Sequence, residues 1–199
     1  MKIVDNTKID GIFQSENQII HRKEEIREWL KIKPEKDCYE FSDQDICIIN
    51  YRGGEYTYMP WVLLENNYWE NSMKKMKAIN PNMRFVVITD DVETARKQFP
   101  NLEINHFDIG KDFTILKNAY YLIISNSSFP LFATILNRVN KYTIAPKYWA
   151  RHNISDGYWA CGYNLWRNFD YLDRNGLFSS YDQCLQEFNE YIKQHPNIW

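Results

Sequence analysis

The stretch from Tyr120 to Asn137, YYLIISNSSFPLFATILN, limits what this chain can fold into more than any other. Tyr121-Leu-Ile-Ile124 is a continuous apolar run, the signature of a strand covered on both faces in a parallel sheet. Four short polar residues, Ser125-Asn-Ser-Ser128, separate it from a helical pattern with Leu131, Phe132, Ile135, Leu136 and Val139 on one stripe. Pro130 suits the first turn of that helix, where a missing N–H costs nothing, and Ser127 or Ser128 can cap it. A strand that hands small hydroxyls to a helix N-terminus builds an anion site from backbone N–H groups and the helix dipole. The same residues also describe a capped helix with no ligand. The choice rests on what other strands bring to the same edge.

Those strands alternate with helices. Asp45–Asn50 reads as a buried strand running into Tyr51-Arg-Gly-Gly-Glu-Tyr56, where two glycines permit positive φ and close approach of a ligand to the backbone. Leu64–Ile79 is an amphipathic helix with Tyr68, Trp69, Met73 and Met76 on its inner face. Arg84–Thr89 is a strand that stops at Asp90-Asp91, followed by a short helix over Glu93–Gln98 and a strand over Leu102–Phe107. Asp112 is expected to cap a helix reaching Ala119, and Tyr142–Ala145 is a further strand closed by Pro146. Arg22–Lys31 reads as a short charged helix docked through Ile26, Trp29 and Leu30. Ser180–Gln183 has the form of a capping box before a final helix carried by Leu185, Phe188 and Ile192. This order predicts an α/β fold with a mainly parallel sheet.

Composition narrows the function classes. A chain of 199 residues makes one domain, or one with appendages, and 44% hydrophobic with 16% aromatic residues excludes global disorder. A net charge of −2 gives no electrostatic footprint for nucleic acid or an anionic membrane. The apolar runs are too short for a transmembrane segment, and residues 1–20 lack the apolar region of a secretory signal. The cysteines, Cys38, Cys47, Cys161 and Cys184, are scattered, with Cys47 placed as a small core residue, so the expected location is reducing and cytoplasmic.

In parallel α/β sheets ligands lie at the carboxyl ends of the strands. Arg52, Asp90-Asp91 and Ser125–Ser128 all fall at such ends. An arginine fork beside a glycine pair and a serine-rich helix N-terminus suits a phosphate or diphosphate, although neither the P-loop nor the G-x-G-x-x-G pattern is present. Arg52 reads equally well as a solvated loop residue, and Asp90 and Asp91 as caps of the following helix. His21, His106, His152 and His195 are dispersed and define no metal site, and no Ser-His-Asp or Cys-His arrangement is legible from spacing. The aromatic run Tyr158–Tyr171 could stack on sugars or build a small core.

Five segments, in order, resemble one family. Asn50-Tyr-Arg-Gly-Gly-Glu-Tyr56 resembles the H-x-R-R-G-D-Y loop of the α-1,2-fucosyltransferases of glycosyltransferase family eleven. Ile88-Thr-Asp-Asp91 is similar to their strand ending in an acidic pair, and Ile124-Ser-Asn-Ser-Ser-Phe129 with Leu136-Asn137 to their I-x-N-S-[ST]-F motif and its helix. Ile144-Ala-Pro-Lys-Tyr-Trp149 resembles the family's strand and P-x-x-W ending, and Gly11-Ile-Phe-Gln-Ser-Glu16 its G-Y-F-Q-S-E segment.

The resemblance implies a Rossmann-like three-layer domain, the C-terminal, donor-binding half of a GT-B glycosyltransferase, over residues 41–199, preceded by an N-terminal segment and short helix over 1–40. It implies transfer of L-fucose from GDP-fucose to a glycan hydroxyl, with inversion and with neither metal nor cofactor. A module that binds a nucleotide sugar without turnover is the alternative. By this match Arg52 and Glu55 are the expected catalytic residues. Asn50, Arg52, Gly53, Gly54, Asp90, Asp91, Asn126, Ser127, Ser128 and Phe129 are expected to hold the donor, with Arg52 on the β-phosphate, Ser127 and Ser128 on phosphate oxygens and Asp90 or Asp91 facing the nucleoside. The family's histidine, second arginine and aspartate stand here as Asn50, Gly53 and Glu55, leaving one guanidinium in the loop. Only ten residues precede the Gly11 segment, so the expected partners include an acceptor domain or a second copy of the chain.

Overall fold

In the computed structural model, which describes residues 14–149, 152–153 and 165–196, every apolar run read as a strand joins one sheet. The strands are β1 (Ile46–Tyr51), β2 (Arg84–Thr89), β3 (Glu103–Asn105), β4 (Tyr121–Ile123), β5 (Tyr142–Pro146), β6 (Phe169–Leu172) and β7 (Phe178–Ser179). The helices are α1 (Glu16–Ile19), α2 (Lys23–Trp29), α3 (Asn66–Ile79), α4 (Val92–Gln98), α5 (Ile109–Lys117), α6 (Ser128–Leu136) and α7 (Tyr181–Gln194), with 3-10 turns at Ile20–Arg22, Pro34–Lys36 and Gly54–Tyr58.

Among the described residues the strand order is β3-β2-β1-β4-β5-β6-β7, every pair parallel except β6 with β7. This is the doubly wound order, whose direction of progression reverses between β1 and β4. Alternation along each strand sorts the core into two layers. Ile46, Ile48, Val86, Ile88 and Leu122 pack with α5 and α6, and with partly buried residues of α7. Cys47, Ile49, Tyr51, Val87 and Ile123 pack with Tyr68, Trp69 and Met76 of α3 and Ala95 of α4. A Rossmann-like sheet between two helix layers results.

Several expectations are corrected. Trp29 and Leu30 do not dock α2: they are 65% and 49% exposed, and only Ile26 of the three packs on the core. Arg27 docks that helix instead, donating Nε to the Ile135 carbonyl at 2.9 Å and Nη2 to that of Asn137 at 2.7 Å. A polar contact to the carbonyl end of α6 leaves no periodic apolar signal. Asp112 does not cap α5. Asp108 does, accepting from the Gly110 and Lys111 N–H groups, because it holds the extended backbone a cap requires. Val139 lies beyond α6 and is exposed. Strand β3 is shorter than its apolar run, β6 begins within what reads as an aromatic tract, and the two-residue β7 beyond it gives no strand signal in the sequence. Of that tract, residues 158–164 lie outside the described residues, as do Cys161 and Gly11–Phe13. Its described part is core, with Trp166, Phe169 and Tyr171 buried.

Asn137 closes α6 more firmly than its place in the sequence suggests. It is buried, donates Nδ2 to the Leu116 and Ala119 carbonyls at 3.3 and 2.8 Å, and accepts at Oδ1 from the Val139 and Asn140 N–H groups, both at 2.8 Å. Asn137→Ala strands the buried Leu116 and Ala119 carbonyls and frees the Val139 and Asn140 N–H groups, and is expected to lower the unfolding free energy by roughly 2–4 kcal/mol. Urea denaturation checks this. A loss below about 0.5 kcal/mol, the level of an ordinary surface substitution, would show that other contacts hold the corner.

Candidate functional site

The site is built outward from the crevice between β1 and β4. Asn50 is buried near the end of β1, and its Oδ1 accepts from the Ser125 hydroxyl at 2.7 Å across the crevice. A buried polar pair at this position spans the point where the strand order reverses.

Beyond Asn50, the loop after β1 is held by the loop after β2. The Gly53 N–H donates to Asp90 Oδ1 at 3.0 Å and the Gly54 N–H to Asp91 Oδ2 at 3.1 Å. A Cβ on Gly53 would stand 2.7 Å from Asp91 Cβ, and one on Gly54, whose φ is +46°, would stand 2.9 Å from Asp90 Oδ2. The glycines therefore admit the acidic pair, and their N–H groups face carboxylates. Asp91 also caps α4, accepting from the Thr94 hydroxyl at 2.7 Å and the Thr94 N–H at 3.0 Å. These bonds, the hydroxyl's foremost, hold its carboxyl below the usual range.

Arg52 is enclosed by anions of the chain itself. Its Nη1 pairs with Asp90, its Nη2 with Glu55 Oε1 at 2.9 Å, and its guanidinium lies 5.4 Å over the Tyr56 ring. Partial burial opposes its charge, but the Glu55 hydrogen bond and both carboxylates outweigh it and raise its pKa. Tyr56 is anchored in turn, donating its hydroxyl to the Asn126 carbonyl at 3.3 Å.

On the other side stands α6. Ser127 caps it, accepting from the Phe129 N–H at 3.3 Å, while Ser128 begins the helix and is exposed. Asn126 is buried, donates Nδ2 to the Val62 carbonyl at 2.8 Å, and keeps a buried Oδ1 with no hydrogen-bond partner among the described residues.

A cavity of about 340 Å³ opens between these groups. Asn50, Arg52, Asp90, Ser127, Ser128 and Phe129 line it. Gly53, Gly54 and Asp91 lie behind Asp90 as its support. Glu55 reaches the cavity only through Arg52, and Asn126 faces the Val62 loop. His106 was missed as a wall residue. Its Nδ1 is 2.9 Å from Asp112 Oδ2, and Asp112 is buried with Oδ1 accepting from the Phe107 N–H at 3.1 Å. The pair forms because the end of β3 meets the first turn of α5; nothing periodic in the sequence announces it. Among the described residues no three His, Cys, Asp or Glu side chains cluster so as to hold a metal ion, and no helix is long and apolar enough to cross a membrane.

Fold and cavity define a doubly wound α/β protein with its polar residues gathered at the switch point. The profile described as glycosyl transferase family 11 matches residues 8–159, and the chain belongs to this family. An α-1,2-colitosyltransferase of Escherichia coli is 28% identical over 171 residues, covering 76% of this chain and 59% of that protein. The chain thus matches about three-fifths of the length of this curated relative.

The clasp between the two loops makes Gly53 a sensitive position. Gly53→Ala drives a methyl group into Asp91 and is expected to cost about 1–3 kcal/mol, the range for forced overpacking. A melting temperature equal to that of the parent protein would show that the loops part freely.

Proposed function

We infer that this chain is the donor-binding part of a GT-B glycosyltransferase that moves a sugar from a GDP-sugar to a glycan hydroxyl. The sugar would be L-fucose or, following the name of the Escherichia coli relative, colitose. The observation that carries this reading is the meeting of Arg52 and the N-terminus of α6 in one cavity at the β1/β4 switch point, in a chain of family 11. The diphosphate would lie against Ser127 and Ser128 with Arg52 on its β-phosphate, and the nucleoside beside Asp90-Asp91. In the transfer step the acceptor oxygen bonds to the anomeric carbon, the bond from that carbon to the phosphate oxygen breaks, and GDP leaves with the electron pair. Fixed donors at the departing phosphate favour that separation of charge. The hydroxyl proton passes to a carboxylate, for which Glu55 and Asp90 are the candidates.

Arg52 is already paired with Asp90 and Glu55, so a diphosphate would compete with two carboxylates for its charge. Glu55, two-thirds exposed, is the one more easily released, and release would free it as a proton acceptor. The single guanidinium, with Asn50 and Gly53 where the family carries histidine and arginine, favours a second reading in which this chain holds the donor but turns it over slowly by itself. Either reading places the protein in the cytoplasm, in keeping with the free thiols of Cys38, Cys47 and Cys184.

Thermal unfolding with nucleotides tests the donor. GDP is expected to stabilise the chain by about 2.7 kcal/mol at a hundredfold excess over Kd, and UDP by less. Equal stabilisation by UDP would remove guanine from the reading while keeping a diphosphate.

Two variants test Arg52. Arg52→Ala is expected to weaken GDP binding by roughly 1.5–3 kcal/mol, as for a lost charge-assisted hydrogen bond, with little change in the melting temperature of the free protein. Glu55→Gln removes a competitor for the guanidinium and should tighten GDP binding by no more than about 1 kcal/mol, the worth of an exposed ion pair. Calorimetric titration gives both. A loss of stability in Arg52→Ala with GDP affinity intact would make Arg52 a structural residue.

A further inference from the structure

The cavity at the switch point is bounded on one side by Ile109 and Phe129. The same two side chains also line a second, larger cavity of about 820 Å³. That volume lies within the usual range for small-molecule sites. Its wall is apolar, made by Ile32, Phe113 and Phe129, with the two phenylalanine rings edge to face at 5.5 Å. Ile109, at the head of α5, separates the two cavities and is 76% exposed, an apolar side chain with nothing over it among the described residues.

The rim of the second cavity is charged, and part of that charge is free. Asp37 is spent on Lys117 Nζ at 2.7 Å and Asn118 Nδ2 at 2.8 Å, and Lys111 on Glu40 at 2.6 Å. Glu35 and Lys36, on the 3-10 turn Pro34–Lys36, are exposed and make no side-chain hydrogen bond or close ion pair among the described residues, although the Lys36 charge acts on Asp108 across the rim. Asp108 accepts from the Gly110 and Lys111 N–H groups with Oδ1 alone, which leaves Oδ2. An aromatic and aliphatic wall with free carboxylates and one ammonium at its rim suits a saccharide. The C–H faces of a pyranose rest on the wall, and its hydroxyls both donate to carboxylates and accept from Lys36. An aliphatic chain would leave those charges unmet, and a phosphate would face Glu35 and Asp108.

Contiguity gives this groove its role. Transfer requires the acceptor hydroxyl within about 3–3.5 Å of the reacting carbon, so an acceptor site must open into the donor cavity. We propose that the groove between the Pro34–Lys36 turn and the head of α5 is the acceptor site. It binds a neutral saccharide unit of the acceptor glycan and delivers a hydroxyl over Ile109 and Phe129. The proposal rests on the donor reading above, and it assigns acceptor recognition jointly to the segment before β1 and to the head of α5.

The full chain, labelled with nitrogen-15, is titrated separately with GDP and with methyl β-D-galactoside, lactose and N-acetyllactosamine while amide resonances are followed. Saccharide is expected to shift Gly110, Lys111, Ile32, Lys33 and residues 35–38, and GDP to shift Gly53, Gly54 and residues 127–129. The double variant Glu35→Ala, Lys36→Ala changes only exposed side chains. It should weaken saccharide binding by about tenfold or more, the loss of hydrogen bonds to charged groups, and leave GDP affinity unchanged. Saccharide shifts that map elsewhere, an unchanged saccharide affinity in the double variant, or no response to any of the three sugars would overturn the proposal. Saccharide mapping to the groove in a chain that ignores GDP would support the saccharide site and sink the donor reading instead.

Discussion

The arrangement depends on two carboxylates accepting two backbone N–H groups. Asp90 and Asp91 hold Gly53 and Gly54 at 3.0 and 3.1 Å, joining the loops that leave β1 and β2. Without side chains at 53 and 54 the loops close on each other, and the closure aims Arg52 back over Tyr56. Asp91 serves α4 through the same carboxyl, so one residue fixes a helix start and a loop together. Backbone N–H groups taken out of water need partners, and here the partners are carboxylates.

The helix that faces this clasp is pinned at both ends. Ser127 caps the start of α6, and Arg27 and Asn137 take up the far end, Arg27 through the Ile135 and Asn137 carbonyls and Asn137 through the neighbouring chain. A helix fixed in this way keeps its N-terminal dipole directed at the cavity without rearrangement. The turn after β5 adds support from the side. Lys147 is buried with Nζ donating to Ser179 Oγ and Glu187, both at 2.9 Å, and Tyr148 and Trp149 follow with φ of +65° and +45°. Bulky residues in the left-handed region are strained, and the Lys147 and His152 contacts around the turn keep them there.

The free charge of the site is small. Its one guanidinium is paired with Asp90 and Glu55, so the chain's own carboxylates already offset its charge. Specificity in such a cavity depends on shape and on fixed dipoles more than on net attraction. The second cavity differs in kind, with an apolar wall and a charged rim only part of which is paired internally, and the two cavities share Ile109 and Phe129 as wall residues.

The alternation of apolar strands and amphipathic helices was enough to determine an α/β protein with a mainly parallel sheet, because a strand covered on both faces needs a continuous apolar run and each helix an apolar stripe. Family membership was legible too, since Ile88–Asp91, Ile124–Phe129 and Ile144–Trp149 are local segments whose residue types follow from strand ends and helix starts. The convergence of Arg52, Asp90 and Ser127 followed from the rule that parallel strands present their carboxyl ends together. What tertiary structure alone decided were the pairings across distance. Whether Gly53 and Gly54 admit a ligand or the acidic pair and whether Trp29 or Arg27 docks α2 depend on contacts between segments tens of residues apart, and whether Asp112 caps a helix or meets His106 depends on how the chain turns between β3 and α5. Those contacts are single hydrogen bonds and ion pairs. They carry no period, and so they leave no trace in the order of the residues until the sheet brings them together.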